Sequence, residues 1–174
     1  MQERVIADAK QYDALWSKVF DQYLFKPGYI NWRNQQWIVL PEENTTFMLS
    51  DNSCWNDKQE SIINSFFESL TQDELFALDW QHDSFHFYPK EHIRAGFQYH
   101  DYIRDCDVYF PSYWPDGDYH FFVDKDWKYG LFGHPWKREI KVMGHELVDL
   151  FKSQAFELGI KESKSGEGLS TKTS

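Results

Sequence analysis

Residues 114–151 read WPDGDYHFFVDKDWKYGLFGHPWKREIKVMGHELVDLF, and their patterning decides the fold class. Tyr119 to Asp124, Trp127 to Phe132 and Arg138 to Val142 are short runs of aromatic and branched residues bounded by Gly, Pro or Asp, the pattern of strands. A further run, Val108 to Trp114, precedes them. Asp116-Gly117 then predicts a hairpin between this run and Tyr119–Asp124, because Gly tolerates the positive φ of such turns. Gly133-His134-Pro135-Trp136 marks the corner before Arg138. After Gly144, a helix places Leu147, Val148, Phe151 and Phe156 along one side. These elements make an antiparallel meander closed by a helix.

Working back toward the N-terminus, helical spacing of Tyr12, Leu15, Trp16, Val19, Phe20 and Tyr23 predicts a helix over Asp8 to Leu24, stopped by Pro27-Gly28. Trp37 to Pro41 reads as a short extended piece and Thr45 to Ser50 as a strand. Ile62, Ile63, Phe66, Phe67 and Leu70 predict a second helix over Asp57 to Leu70. Thr71 with Glu74 resembles a capping box and suggests a further helical turn. Leu75 to Trp80 and Ser84 to Tyr88 read as extended segments, the second ended by Pro89. Lys90 to Arg104 reads as a loop or short helix. The fold class is α+β, an antiparallel sheet packed against an N-terminal, a middle and a C-terminal helix.

The chain has 174 residues, the size of one domain, with that domain over 1–158. After Gly159 the composition turns to Lys, Ser, Gly, Glu and Thr, so 159–174 reads as a disordered tail. A formal net charge of −10 argues against nucleic-acid and anionic-membrane partners and favours a basic protein. The stretch 101–126 holds seven Asp against Arg104 and Lys125, a local charge of −5, half of the total. No run of about 18 apolar residues and no signal-peptide pattern is present. Cys54 and Cys106 lack metal-type spacing. The expected location is cytoplasmic.

His82 and His86 are four residues apart. On a strand they share a face but stand about 13 Å apart, too far to share one ion, so no metal site and no cofactor are read here. GxSxG, HExxH and a phosphate-cradling Gly-rich loop are missing, and no catalytic residue is assigned. The Asp pairs Asp105/Asp107, Asp116/Asp118 and Asp124/Asp126, with Trp114 as an anchor, form a candidate anionic surface for a basic partner. The alternative is a small-molecule or hydrolase pocket built from Trp80, His82, His134 and Trp136.

The stretches LFALDWQHDSFHFYP, WPDGDYHFFVDKDWKYGLFGHPW and IKVMGHELVDLF resemble the bacterial family of domain of unknown function 2716. The matching residues are Asp79-Trp80-Gln81-His82, Pro115 to Tyr119, Gly130, Gly133 to Trp136, Gly144 and Glu146-Leu147. The resemblance covers mainly residues 75–151 and implies a fold but no activity. Small acidic, aromatic-rich bacterial proteins of this style include immunity proteins. The leading expectation is therefore an immunity-type, toxin-neutralising module that blocks a basic domain such as a nuclease.

Overall fold

The chain's computed structural model describes residues 3–28, 36–41, 43–50, 53–71, 73–91 and 97–163. Within it lie ten strands: β1 (Glu3–Val5), β2 (Asn44–Leu49), β3 (Leu75–Asp79), β4 (Phe85–Phe87), β5 (Phe97–Asp101), β6 (Cys106–Phe110), β7 (His120–Asp124), β8 (Gly130–His134), β9 (Glu139–Met143) and β10 (Ile160–Glu162). The helices are α1 (Ala9–Ser17), α2 (Asp57–Leu70), α3 (His145–Ser153) and α4 (Ala155–Leu158). Eight strands form one antiparallel sheet in the order β1-β4-β3-β7-β8-β9-β2-β10; β5 and β6 form a second, two-stranded sheet. The α+β class and the meander of β7, β8 and β9 follow the sequence reading.

Period-2 alternation sorts the side chains of the large sheet into two cores. Leu75, Ala77, Phe122, Leu131, Ile140 and Val142 face one core, with Ile63, Phe66 and Phe67 of α2 and Leu147 and Phe151 of α3. Phe76, Leu78, Phe121, Val123 and Phe132 face the other, with Leu15 and Trp16 of α1 and with Phe25, Trp37 and Ile38. The middle and C-terminal helices thus cover one face and the N-terminal helix the other. Burial on both sides is why LFALD and HFFVD read as unbroken apolar runs rather than alternating ones.

Local chemistry sets the helix ends. Asp8 caps α1 by accepting from the Gln11 amide at 2.8 Å, and the helix continues as a wider π-type turn over Lys18–Gln22. Asn56 and Gln59 form a reciprocal capping box on α2. The extended piece at Trp37 joins neither sheet. Its carbonyl accepts from the Lys26 amide, and the Val39 amide donates to the Tyr23 carbonyl.

Several expectations give way. Val108 and its neighbours pair with β5, not with β7, so Asp116-Gly117 closes no hairpin. With φ +128 at Gly117, it turns a loop that carries the chain from one sheet to the other. β6 instead takes its register from β5, with Val108 opposite Tyr99, and Phe110 packs on Phe85 and Phe87 at 5.1 and 5.3 Å. The stretch read as loop or helix holds β5, with 92–96 outside the described residues. Thr71 starts no helix, since its hydroxyl accepts the Asp73 amide in a turn before β3. The segment read as a tail from Gly159 first adds β10 to the sheet edge, with Ile160 opposite Leu49; residues 164–174 lie outside the described residues. Phe156 leaves the buried stripe, being on α4 and 95% exposed.

Gly144 is where β9 turns into α3. Its φ is +98, and an added Cβ would lie 2.5 Å from the Lys128 carbonyl oxygen and 2.6 Å from the Tyr129 ring. Gly144→Ala is expected to cost about 2–3 kcal/mol through backbone strain, read as a lower urea midpoint with an unchanged m-value. A loss below about 0.5 kcal/mol, the size of a neutral surface change, would show that the turn relaxes freely.

Candidate functional site

The ends of β3 and β7 meet where the two sheets join. Asp79 is the last residue of β3, His120 the first of β7, and the register sets them opposite each other. Alternation puts both on the face that carries Ala77 and Phe122. Gln81, with φ +73, tightens the turn after β3, and the His82 amide donates to the Asp79 carbonyl at 3.2 Å. The turn brings His82 Nδ1 to 3.1 Å from Asp79 Oδ1 and 3.2 Å from Asp118 Oδ2. Asp118 is held in turn by the Tyr119 amide, which donates to Oδ1 at 2.7 Å.

His120 is buried, and its Nδ1 lies 2.9 Å from the Ser112 carbonyl and 3.0 Å from that of Trp114. Carbonyls only accept, so Nδ1 carries the proton. Nε2 points the other way, 3.5 Å from Asp116 Oδ1 and 3.8 Å from Asp79 Oδ2. Tyr109 of β6 donates its hydroxyl to Asp116 Oδ2 at 3.2 Å. The result is a cleft of ≈520 Å³ lined, among the described residues, by three carboxylates, two imidazoles and a phenol, with no Lys or Arg.

Burial sets the electrostatics of the cleft. It raises the carboxyls of Asp79 and Asp118, although the neighbouring imidazoles pull both back down. Burial also pulls His82 down, but its bond to Asp79 and the charges of Asp79 and Asp118 outweigh this and hold it above the ordinary imidazole value. Tyr109 is pushed well up by burial, then by Asp116.

A second feature stands at the β5–β6 turn. Asp101 Oδ1 accepts the amides of Ile103 and Arg104 at 2.9 and 3.3 Å. Arg104 donates to Asp101 Oδ2 and, through both terminal nitrogens, to the two oxygens of Asp83 at 2.7 and 3.0 Å. This bidentate clamp fixes the turn, yet Tyr102 is 86% and Ile103 97% exposed. Asp105 and Asp107 follow, each facing His100. Beneath the tip runs a groove of ≈490 Å³ that includes Val5, Tyr99 and Ile103.

The family profile of protein of unknown function DUF2716 matches residues 7–148, from just before α1 into the start of α3. The chain belongs to this family. It is also similar to the uncharacterized protein YxiI of Bacillus subtilis (strain 168), 30% identical over 161 residues, which is 86% of this chain and 91% of the relative. No solved structure matches the chain.

In this DUF2716 chain the acidic residues singled out from sequence do not share one surface. Asp105 and Asp107 sit at the β5–β6 tip, and Asp116 and Asp118 line the cleft. Asp124 ends β7 at the far side of the sheet, where its carboxylate accepts the amides of Asp126 and Tyr129; Asp126 follows in that turn. Trp114 is buried, edge-on to Trp55 at 5.3 Å. The four residues of the alternative pocket are divided by the sheet. His82 goes to the cleft, whereas Trp80, His134 and Trp136 surround Tyr119 on the opposite face, at 5.8, 4.7 and 5.4 Å between rings. His86 pairs with Glu74 and Gln11 instead of His82. Asp79 stands out in the sequence only as part of the Asp79-Trp80-Gln81-His82 stretch, and His120 and Tyr109 carry no motif of their own.

Proposed function

We propose that the chain is an acidic protein-binding module that docks through its β5–β6 tip, and that its partner is a basic toxin domain, such as a nuclease, which it neutralises as an immunity protein. The tip carries this reading. Two bulky apolar side chains, Tyr102 and Ile103, stand in solvent on a turn clamped by Asp101, Arg104 and Asp83. A clamped turn loses little conformational entropy on binding, so its apolar anchors convert more of their burial into affinity. Asp105, with a 96% exposed side chain, and Asp107, at 62%, supply the negative charge that a basic surface would meet and that would steer its approach.

The test is co-purification from the native host, followed by titration of the captured protein and of the product of the adjacent gene. Wild type is expected to retain a basic partner. Tyr102→Ala with Ile103→Ala should weaken it by about 100-fold or more, the loss of two anchors, with folding stability changed by less than about 0.5 kcal/mol. Asp105→Lys with Asp107→Lys should slow association and flatten its salt dependence. A partner bound equally by the tip variant would move the interface elsewhere. Capture of no basic protein, with nothing toxin-like encoded next door, would sink the role.

A further inference from the structure

We propose that the cleft between the sheets is a site for a divalent first-row transition metal, with Asp79, His82 and Asp118 as ligands and the buried His120 Nε2 facing the same cleft, 3.8 Å from Asp79 Oδ2. The inference is independent of the tip and of the partner proposed above.

Convergence is the first observation. One donor atom from each of Asp79, His82 and Asp118 lies within 4.8 Å of the other two, and two of the separations are 3.1 and 3.2 Å. Ligands about 2.0–2.2 Å from one ion stand roughly 3–3.5 Å apart, so small side-chain rotations complete the set. The donors come from the β3 end, the following turn and the loop before β7, all anchored by backbone hydrogen bonds.

The second observation is His120. Its side chain is 2% exposed, and its Nδ1–H is committed to the Ser112 and Trp114 carbonyls. The remaining nitrogen is aimed into the cleft, and its closest acid oxygens among the described residues, at 3.5 and 3.8 Å, lie beyond normal N–H···O length. A histidine whose far N–H is held by backbone carbonyl is the arrangement that fixes the tautomer of metal-ligating imidazoles. Asp118 has the matching outer partner in the Tyr119 amide, and Asp116, on the cleft side of His120, carries its own bond from Tyr109.

Charge is the third. Three carboxylates against two imidazoles leave the cleft negative even with both rings protonated, and no Lys or Arg lines it among the described residues. Imidazole with carboxylate suits zinc, iron, manganese, cobalt or nickel, whereas calcium and magnesium prefer an all-oxygen shell. The His82 side chain is 62% exposed and that of Asp79 3%, so the ion would sit on a buried floor with an open side facing solvent.

Calorimetric titration of the full chain with zinc chloride, and cobalt chloride followed by its visible absorption, tests the assignment. One ion per chain is expected, with a dissociation constant in the micromolar range or tighter, and little response to magnesium or calcium. His82→Gln and Asp118→Asn, both on the accessible side of the cleft, should each weaken binding by at least about the 10–100-fold that loss of an outer-sphere partner costs. His100→Ala, which removes the imidazole beside Asp105 and Asp107, should leave it unchanged. A circular-dichroism melt shows that each variant is folded. No stoichiometric binding, binding equally strong for magnesium, or binding that survives in His82→Gln and vanishes in His100→Ala would each overturn the proposal.

Discussion

Phe122→Ala is expected to destabilise the chain by about 3–5 kcal/mol, the usual cost of emptying a buried aromatic site. For a chain of this size that shifts the melting temperature by about 2–4 °C per kcal/mol. Phe122 lies in the middle of β7 with no exposed surface, between Ala77 on one side and Leu131 on the other. Its ring packs on Tyr113 at 4.5 Å and Phe87 at 6.1 Å. Tyr113 is itself stacked on Phe67 of α2 at 5.9 Å, so one ring joins the sheet, the inter-sheet loop and the helix. The surroundings cannot collapse into the space left by alanine without moving two of these elements. Phe156→Ala is the matched control. That ring is 95% exposed, and its removal should change stability by less than about 0.5 kcal/mol. Equal losses in urea melts of the two variants would contradict the two-core arrangement.

The elements that sequence reading places well are those whose signal is local. The apolar stripe of α2 lies within its fourteen residues, and β7, β8 and β9 follow one another along the chain. What it misses depends on pairing across long separations. Nothing near Asp116-Gly117 says that β6 pairs with β5 and sets Phe110 on Phe85 and Phe87, more than twenty residues earlier. The cleft is missed for the same reason: Asp79 meets His120 only once β3 pairs with β7. One usable signal was present, since HFFVD places His120 two residues from Phe122 and therefore on the same face. The Asp-rich stretch scatters because Asp116/Asp118 and Asp124/Asp126 bracket a five-residue strand, which sends them to opposite ends, roughly 13 Å apart. Glu60 was equally legible, three and seven residues before Ile63 and Phe67 on the buried stripe of α2.

That buried glutamate and His134 should pull stability in opposite directions as pH changes. Glu60 accepts the amides of Tyr113 and Trp114 at 3.0 and 3.3 Å, yet burial pushes its carboxyl up from 4.5 to about 7. A raised carboxyl holds its proton more tightly in the fold, so its contribution is complete below about pH 4.5 and is lost as pH rises through about 7. His134 is the reverse. Burial, then Lys137, lowers it from 6.5 to about 4, consistent with Nδ1 accepting the Lys137 amide at 3.2 Å and the other nitrogen facing the Tyr119 hydroxyl. Its contribution is complete above about pH 6.5 and is lost as pH falls through about 4. Each shift corresponds to about 3 kcal/mol, and between about pH 4.5 and 6.5 the two oppose each other. Their separation is the measurable result. Relative to wild type, Glu60→Gln should become less unfavourable as pH rises from 4.5 to 7, because the variant lacks the group whose stabilisation is being lost. His134→Asn, whose amide oxygen can still accept from Lys137, should become more unfavourable over the same interval. Urea melts at half-unit pH steps give both differences, and curves that run parallel to wild type would mean that neither group is held away from its ordinary value.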